Sequence, residues 1–491
     1  MTTKMKVWIL ALSAVLALAY NYLRGDDWQR WGLNYFLIIL MLVIATAIFL
    51  RVDQKKTNPW LWYIIVPTLW FGFSVFLYES RMIQAFGMLG SCAGLFYWWF
   101  WSGVERIDGW KVQKLFPVAL VNYFGSFFSN IYKPFTGVLQ GKTKLVARII
   151  LGMVIAIPFL VIFYSLFSSA DRIFSRLFHN LFNWNIDAEL VWRVIRTTIL
   201  FVLANGVFYA LLREPRLSAK DDVYAVRPEK KTDDVILSIV LGALNLLFLV
   251  FIVMQVSFLF GGEQVIKSYG LYGMTYADYA RNGFYQMMVA AMLVLGLSYV
   301  VSRLNNVRKL NWPRVLNLGL IIETLVITAW ALKRLWLYQH AYAYTVSRCL
   351  AGEVIVFVAI ILVLLFMVLL LKKPLSTFVK FGFLFSIVFG IILTSANLES
   401  MVARKNIEGF ANKQYERFDT YYLMNLSVDA GPEILKLRTA LPDPNKEYEA
   451  FIYDWKKAHD YRYMTPSYGS HLTWRTLTIS HLWYWYEDGA Y

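Results

Sequence analysis

One carboxylate stands in the middle of an apolar run: Glu323, within Val315–Leu332. A charged group at that depth costs ~2.5–3.5 kcal/mol or more on insertion scales, and intramembrane acids bind protons, hold ions or pair with a polar group on a neighbouring helix. Arg196, Asn205, Asn245 and Gln255 lie on other apolar runs and are the partners on offer. Two chemistries follow. An exchangeable proton at Glu323 would couple transport, whereas a neutral Glu323 would tie two helices together by a hydrogen bond.

A second group of polar residues lies at the edges of apolar runs: Asp171, Asp278, Arg281, Arg334, Tyr338, Arg348, Asn397, Arg404 and Asn406. Charges at a membrane interface need partners. The set is expected to form either a composite polar site roofed by the C-terminal domain or an ion-paired collar. In the collar, Asp171 and Asp278 neutralise Arg281, Arg334 or Arg348 and anchor the tail.

Other chemistries fail on spacing. Gly137-Val-Leu-Gln-Gly141-Lys142-Thr143 is one residue short of a phosphate loop, and no buried strand precedes it. His179, His340, His459, His471 and His481 lack metalloprotease spacing, and no Gly-x-Ser-x-Gly elbow occurs. Cys92 and Cys349 lie in or beside apolar segments and make no disulfide framework. No catalytic, cofactor-binding or metal-ligating residue is expected, no cofactor is implied, and an enzyme is not favoured.

The elements that carry these residues are hydrophobic runs. Hydrophobic residues make up 58% of the chain and charged residues 16%, against ~25% charged in ordinary soluble domains. A bilayer span needs ~20 mostly apolar residues. The runs Val7–Tyr22, Trp31–Leu50, Leu61–Tyr78, Ile83–Trp101, Leu145–Phe167, Leu190–Leu212, Val235–Phe260, Phe284–Val301, Val315–Leu332, Ala351–Leu371 and Phe378–Thr394 qualify. The expected fold is an all-α polytopic membrane protein with about eleven transmembrane helices and a small, mainly helical extracytoplasmic C-terminal domain.

Charge orients the chain. With the N-terminus inside, about 24 Lys and Arg fall in inside segments and about 10 in outside loops, the positive-inside pattern. An odd number of spans then puts the tail outside the cytoplasm, together with the nine polar residues above. The net charge of +16 is accounted for by these short loops, where lysine and arginine meet anionic lipid headgroups. No nucleic-acid partner is expected.

The division read from this pattern is a four-span segment over 1–104, a cytoplasmic amphipathic interfacial segment over 105–144 and spans five and six over 145–212. A cytoplasmic linker over 213–234, a five-span bundle over 235–396 and an extracytoplasmic domain over 397–491 follow. The linker carries Pro215 and Pro228. Gly90 and Gly94 form a small-xxx-small pair suited to close helix packing.

Several segments resemble a known family in combination. They are Ala147-Arg148 through Gly152, Pro158 and Ser168-Ser169-Ala170-Asp171, then Thr275 through Phe284, and Arg334-Leu-Trp-Leu-Tyr338. Tyr342 to Arg348, Asn397 to Asn406 and Leu426-Ser427-Val-Asp429-Ala430-Gly431-Pro432 complete the set. The chain resembles bacterial polytopic membrane proteins catalogued as domain of unknown function 4173, related to the 4153 group. The resemblance implies an inner-membrane protein without an established activity. Where it leads one to expect Tyr-Gly-Leu-Thr, this chain has Tyr342-Ala343-Tyr344-Thr345, removing a glycine that a tight turn would use.

In the tail, Asn397–Leu437 has helical spacing, Pro442 to Asn445 signal a turn, and Tyr448, Phe451, Ile452 and Trp455 mark a short helix. Tyr453, Trp455, Tyr461 and Tyr463 would serve as a binding platform or as domain core and membrane interface, with core favoured. The functional readings are an envelope-facing sensor or scaffold with a partner protein of the envelope, a transporter or flippase using Glu323, and a transferase on lipid-linked substrates. The last rests on Asp26 and Asp27 and is weakest, because their loop is short.

Overall fold

Long apolar segments can satisfy their backbone polar groups away from water only from within, which makes helix the expected state. The computed structural model describes residues 23, 31–52, 59–102, 142–171, 174–175, 234–268, 283–304, 311–412, 419–437, 446–459 and 477–487. Among them there is no strand. The first and sixth expected spans and nearly all of the 105–144 interfacial segment and the 213–234 linker lie outside the described residues, as do Asp278, Arg281, Tyr461 and Tyr463.

Six described helices contain a segment long and apolar enough to cross a membrane: Arg148–Ala170, Asp234–Gln255, Phe284–Ser302, Trp312–His340, Val346–Leu370 and Leu375–Ser395. Leu33–Ile48 and Trp62–Leu77 are shorter apolar helices. The structure thus shows six membrane-length helices, and the count of eleven is not reached among the described residues.

The chain forms two compact units. One comprises 1–109, 342–349 and 384–491, and the other 110–341 and 350–383. The C-terminal tail falls in the same unit as the N-terminal helices.

In the first unit, α1 (Leu33–Val52), α2 (Ile65–Leu77) and α3 (Arg81–Ser102) pack together. Small residues decide how close α2 and α3 come. A Cβ at Gly87 would lie 2.7 Å from the Phe71 carbonyl oxygen, one at Gly90 2.6 Å from the Phe71 ring, and one at Gly94 would strike the Thr68 hydroxyl. The small-xxx-small pair therefore serves packing. Tyr35 joins α1 to α3 through a 2.8 Å hydrogen bond with Ser91.

The second unit is built on α4 (Lys142–Ala170), α5 (Asp234–Ser268), α6 (Phe284–Leu304) and α7 (Trp312–Tyr342). With it go most of α8 (Val346–Leu370) and the first part of α9 (Leu375–Ser395). Phe163, Phe167, Phe248 and Phe251 fill its core, and the Phe167 and Phe251 rings stack at 4.1 Å. Without a strong hydrophobic drive between helices in lipid, such interlocking side chains supply the packing that holds a bundle together.

The tail adds α10 (Leu398–Ala411), α11 (Thr420–Met424), a 3₁₀ turn at Val428–Ala430, α12 (Gly431–Leu435), α13 (Lys446–His459) and α14 (Ile479–Glu487). Trp455 is fully buried among Ile434, Leu437 and Phe451 and stacks on His459 at 4.3 Å. The favoured core role holds for Trp455, while Tyr453 is exposed.

Candidate functional site

Within the first unit, carboxylates fasten the tail to the N-terminal helices. Asp429, 1% exposed, accepts the Glu79 backbone N–H at 2.9 Å on one oxygen and the Ser80 N–H at 2.7 Å on the other. These amides stand immediately before α3, so a residue some 350 positions away supplies the acceptors that a helix N-terminus lacks. Asn397 caps α10 through the Ser400 N–H at 2.9 Å, and its amide donates to the Asp429 carbonyl at 2.9 Å. The Ser427 N–H and hydroxyl both donate to Glu399, each at 2.6 Å.

His481 completes the cluster. Its Nδ1 lies 2.6 Å from the Thr478 hydroxyl, and its Nε2 is 3.7 Å from a Glu79 carboxylate oxygen. Ser480 donates to the Leu77 carbonyl at 3.0 Å, beside Asp429. Burial, reinforced by the neighbouring Glu399 carboxylate, pushes the Asp429 acid up to about 7, against the opposing hydrogen bonds from Ser480, Glu79 and Ser80. Asp429, Glu399, Glu79 and His481 are thus linked through this set of contacts. Among the described residues no group of three or more His, Cys, Asp or Glu is placed to hold a metal ion.

A second attachment clamps the turn between α7 and α8. Asn406 accepts the Tyr344 N–H at 2.7 Å and donates to the Tyr344 carbonyl at 2.9 Å, a two-point grip on one peptide unit. Tyr422 accepts the Val346 N–H at 2.8 Å. Burial is the main reason that the Tyr422 phenol is pushed up. Ala343 takes φ 60°, the left-handed conformation that the expected glycine would adopt without strain. Arg348 donates to the Tyr342 carbonyl at 3.0 Å and the Ala343 carbonyl at 2.7 Å, which holds the alanine in that conformation.

The remaining residues expected from the sequence are distributed as follows. In the second unit Arg334 donates to Asp171 at 2.7 Å, to Gln255 at 2.8 Å and to the Ala170 carbonyl at 3.0 Å. Gln255 in turn donates to Asp171 at 2.9 Å, and the other Asp171 oxygen accepts the Phe174 N–H at 3.2 Å. Gly283, at φ 97°, lies against this network, and a Cβ there would meet the Ala170 carbonyl and Arg334. Tyr338 packs on Phe284. Arg404 is exposed on α10.

Glu323 is partly buried on α7, and one of its carboxylate oxygens is buried without a hydrogen-bond partner among the described residues. Two of the partners suggested for it are engaged elsewhere. Asn245 donates to the Leu241 and Leu316 carbonyls, and Gln255 belongs to the Arg334 network. Arg196 and Asn205 lie outside the described residues.

The family model described as domain of unknown function (DUF4153) matches residues 65–437. The chain belongs to that family. It is the 4153 group set beside the 4173 group in the sequence resemblance, and the 4173 name itself is not shown. The DUF4153 segment contains Glu79, Glu399 and Asp429, as well as Asp171, Gln255, Arg334 and Glu323. His481 lies beyond it. No curated protein and no solved structure matches the chain.

Sequence reading named Asn397 and Asn406 but not the acids around them. Asp429 enters the sequence reading only as part of Leu426–Pro432, His481 only as one of five histidines without metalloprotease spacing, and Glu79 and Glu399 do not stand out by themselves. The one local signal is the Glu79-Ser80 pair between two apolar runs. Nothing in its spacing points to a partner so distant in the chain.

Proposed function

We propose that this chain is a multi-pass inner-membrane protein whose C-terminal segment faces the envelope and works as a sensor or scaffold. The observation that carries the reading is where the tail attaches. Leu477 accepts the Leu33 N–H, Ser480 donates to Leu77, Asp429 takes Glu79 and Ser80, and Asn406 grips Tyr344. Each of these anchor points is a span end that the lysine and arginine bias assigns to the outer side. A partner would be read by the tail and its state passed to α1–α3 through Asp429.

Sidedness is testable at two exposed positions. Tyr421→Cys, in the tail, is expected to react with a membrane-impermeant thiol reagent in intact spheroplasts, and Lys373→Cys only after permeabilisation. Both side chains are exposed, so labelling reports the side of the membrane. The opposite pattern would invert the orientation and sink the envelope-facing reading. Co-purification of a partner dependent on residues 397–491 would support a scaffold.

The transporter reading retains one specific observation, the unpaired buried oxygen of Glu323. A proton-coupling acid should lose function as Glu323→Gln while the fold survives, because an amide keeps the shape but cannot exchange the proton. Glu323→Leu is expected to leave the melting temperature within a degree or two, since no hydrogen-bond partner of that oxygen is left buried. Growth complementation under an envelope stress that exposes a deletion phenotype provides the readout. Full complementation by both variants would remove Glu323 from the mechanism.

A further inference from the structure

Arg314 and Arg334 are on one helix, α7. The axial rise of ~1.5 Å per residue separates them by ~30 Å, which matches the hydrocarbon thickness of a bilayer. Both are buried, yet their surroundings differ. Arg334 is met by a carboxylate, an amide oxygen and a backbone carbonyl. Arg314, 5% exposed, donates through one amine to the Leu369 carbonyl at the end of α8, while its Nε and other amine are buried without a hydrogen-bond partner among the described residues. Among the described residues no acid lies within ion-pair distance of it.

The surroundings are basic and poised at a membrane boundary. The Leu369 carbonyl also accepts the Lys372 N–H at 3.2 Å, which ties the guanidinium to the turn Leu371–Pro374. All four residues of that turn are exposed, and Lys372 is held at φ 54°, a left-handed conformation that is strained for a lysine. Trp312, two residues before Arg314, is exposed at the start of α7, as aromatic side chains are at headgroup level. The side-chain oxygen of Asn317, further along α7, and the hydroxyl of Ser298 on α6 are also buried without partners among the described residues. Asn317 and Ser298 are themselves adjacent, joined through the Asn317 amide and the Ser298 carbonyl at 3.3 Å.

We propose that Arg314, with Lys372 and Lys373, binds the phosphate of an anionic phospholipid headgroup that enters through the Leu371–Pro374 turn. A guanidinium tied to a turn that carries two exposed lysines matches phosphate in charge and hydrogen bonding. Lipid is the source at hand, because the site lies where the headgroups of the surrounding bilayer lie. A headgroup bearing hydroxyls next to its phosphate, such as phosphatidylglycerol, would also supply a donor for Asn317. This inference is independent of the sensor reading.

The test uses the full-length protein in a neutral detergent. Phosphatidylglycerol is expected to raise its melting temperature by several degrees more than phosphatidylcholine. Arg314→Gln should abolish the difference. Lys372→Ala with Lys373→Ala, which alters only exposed side chains and leaves the fold intact, should weaken phosphatidylglycerol retention in native mass spectrometry by about tenfold. That double variant carries the test if Arg314→Gln does not fold. Equal effects of the two lipids, or unchanged lipid retention in the lysine double variant, would overturn the site. A matching rise with inorganic phosphate or glycerol phosphate alone would overturn the lipid assignment and make the occupant a soluble phosphate.

Discussion

Arg334→Ala lowers the melting temperature of the detergent-solubilised protein far more than Lys372→Ala does. The reason lies in what each removal leaves behind. Arg334 is buried and shared among Asp171, Gln255 and the carbonyl of Ala170, so its loss takes the facing positive charge from a buried carboxylate. Breaking one side of a buried pair costs ~3–5 kcal/mol, against ~0–1 kcal/mol for an exposed charge. Lys372 is exposed. Replacing both partners, Asp171→Leu with Arg334→Leu, is expected to recover part of the loss because no charge is left alone. A double variant as unstable as the sum of its single changes would show that the two residues do not act as a pair.

The stability of the protein falls as pH rises through neutrality, and Asp429→Asn flattens that fall. An aspartate in the unfolded chain titrates near 3.8, whereas burial and then Glu399 hold the folded Asp429 acid up to about 7. Between those values the folded protein keeps a proton that the unfolded chain has released. This contribution is therefore fully present below the unfolded value and is lost as pH climbs through the folded one. Melting curves from about pH 5 to about pH 8 are expected to drop by several degrees more for the native protein than for Asp429→Asn. The asparagine variant starts from a lower baseline, because one of the two backbone amides at Glu79 and Ser80 meets an NH₂ group instead of an oxygen. Parallel pH profiles for the two proteins would remove Asp429 as the titrating group.

Legibility followed the range over which each feature is encoded. Helices such as Val346–Leu370 and Leu375–Ser395 could be read to within a few residues, because an apolar run of that length carries its own secondary structure. Asp171 and Arg334 were both named from charge and position, and the expectation that an acid would neutralise Arg334 describes their contact. Gln255, offered as a partner for Glu323, turned out to serve Arg334 instead. The Asp429 attachment was not legible, since its acids come from three distant segments and each one alone looks like an ordinary capping or loop residue. The Ala343 turn shows the same limit. A missing glycine flagged a backbone demand, but only the three-dimensional arrangement revealed that the turn forms anyway, with Arg348 bridging the two carbonyls.

The Asp429 attachment also sets an order of events during synthesis. Glu79 and Ser80 emerge from the ribosome long before Asp429, and Leu77 precedes its partner Ser480 by 403 residues. At ~5–20 residues per second, the α2–α3 hairpin waits for tens of seconds with the amides ahead of α3 uncapped. A ribosome that stalls before Asp429 would leave behind a chain whose Glu79 and Ser80 amides lack this cap.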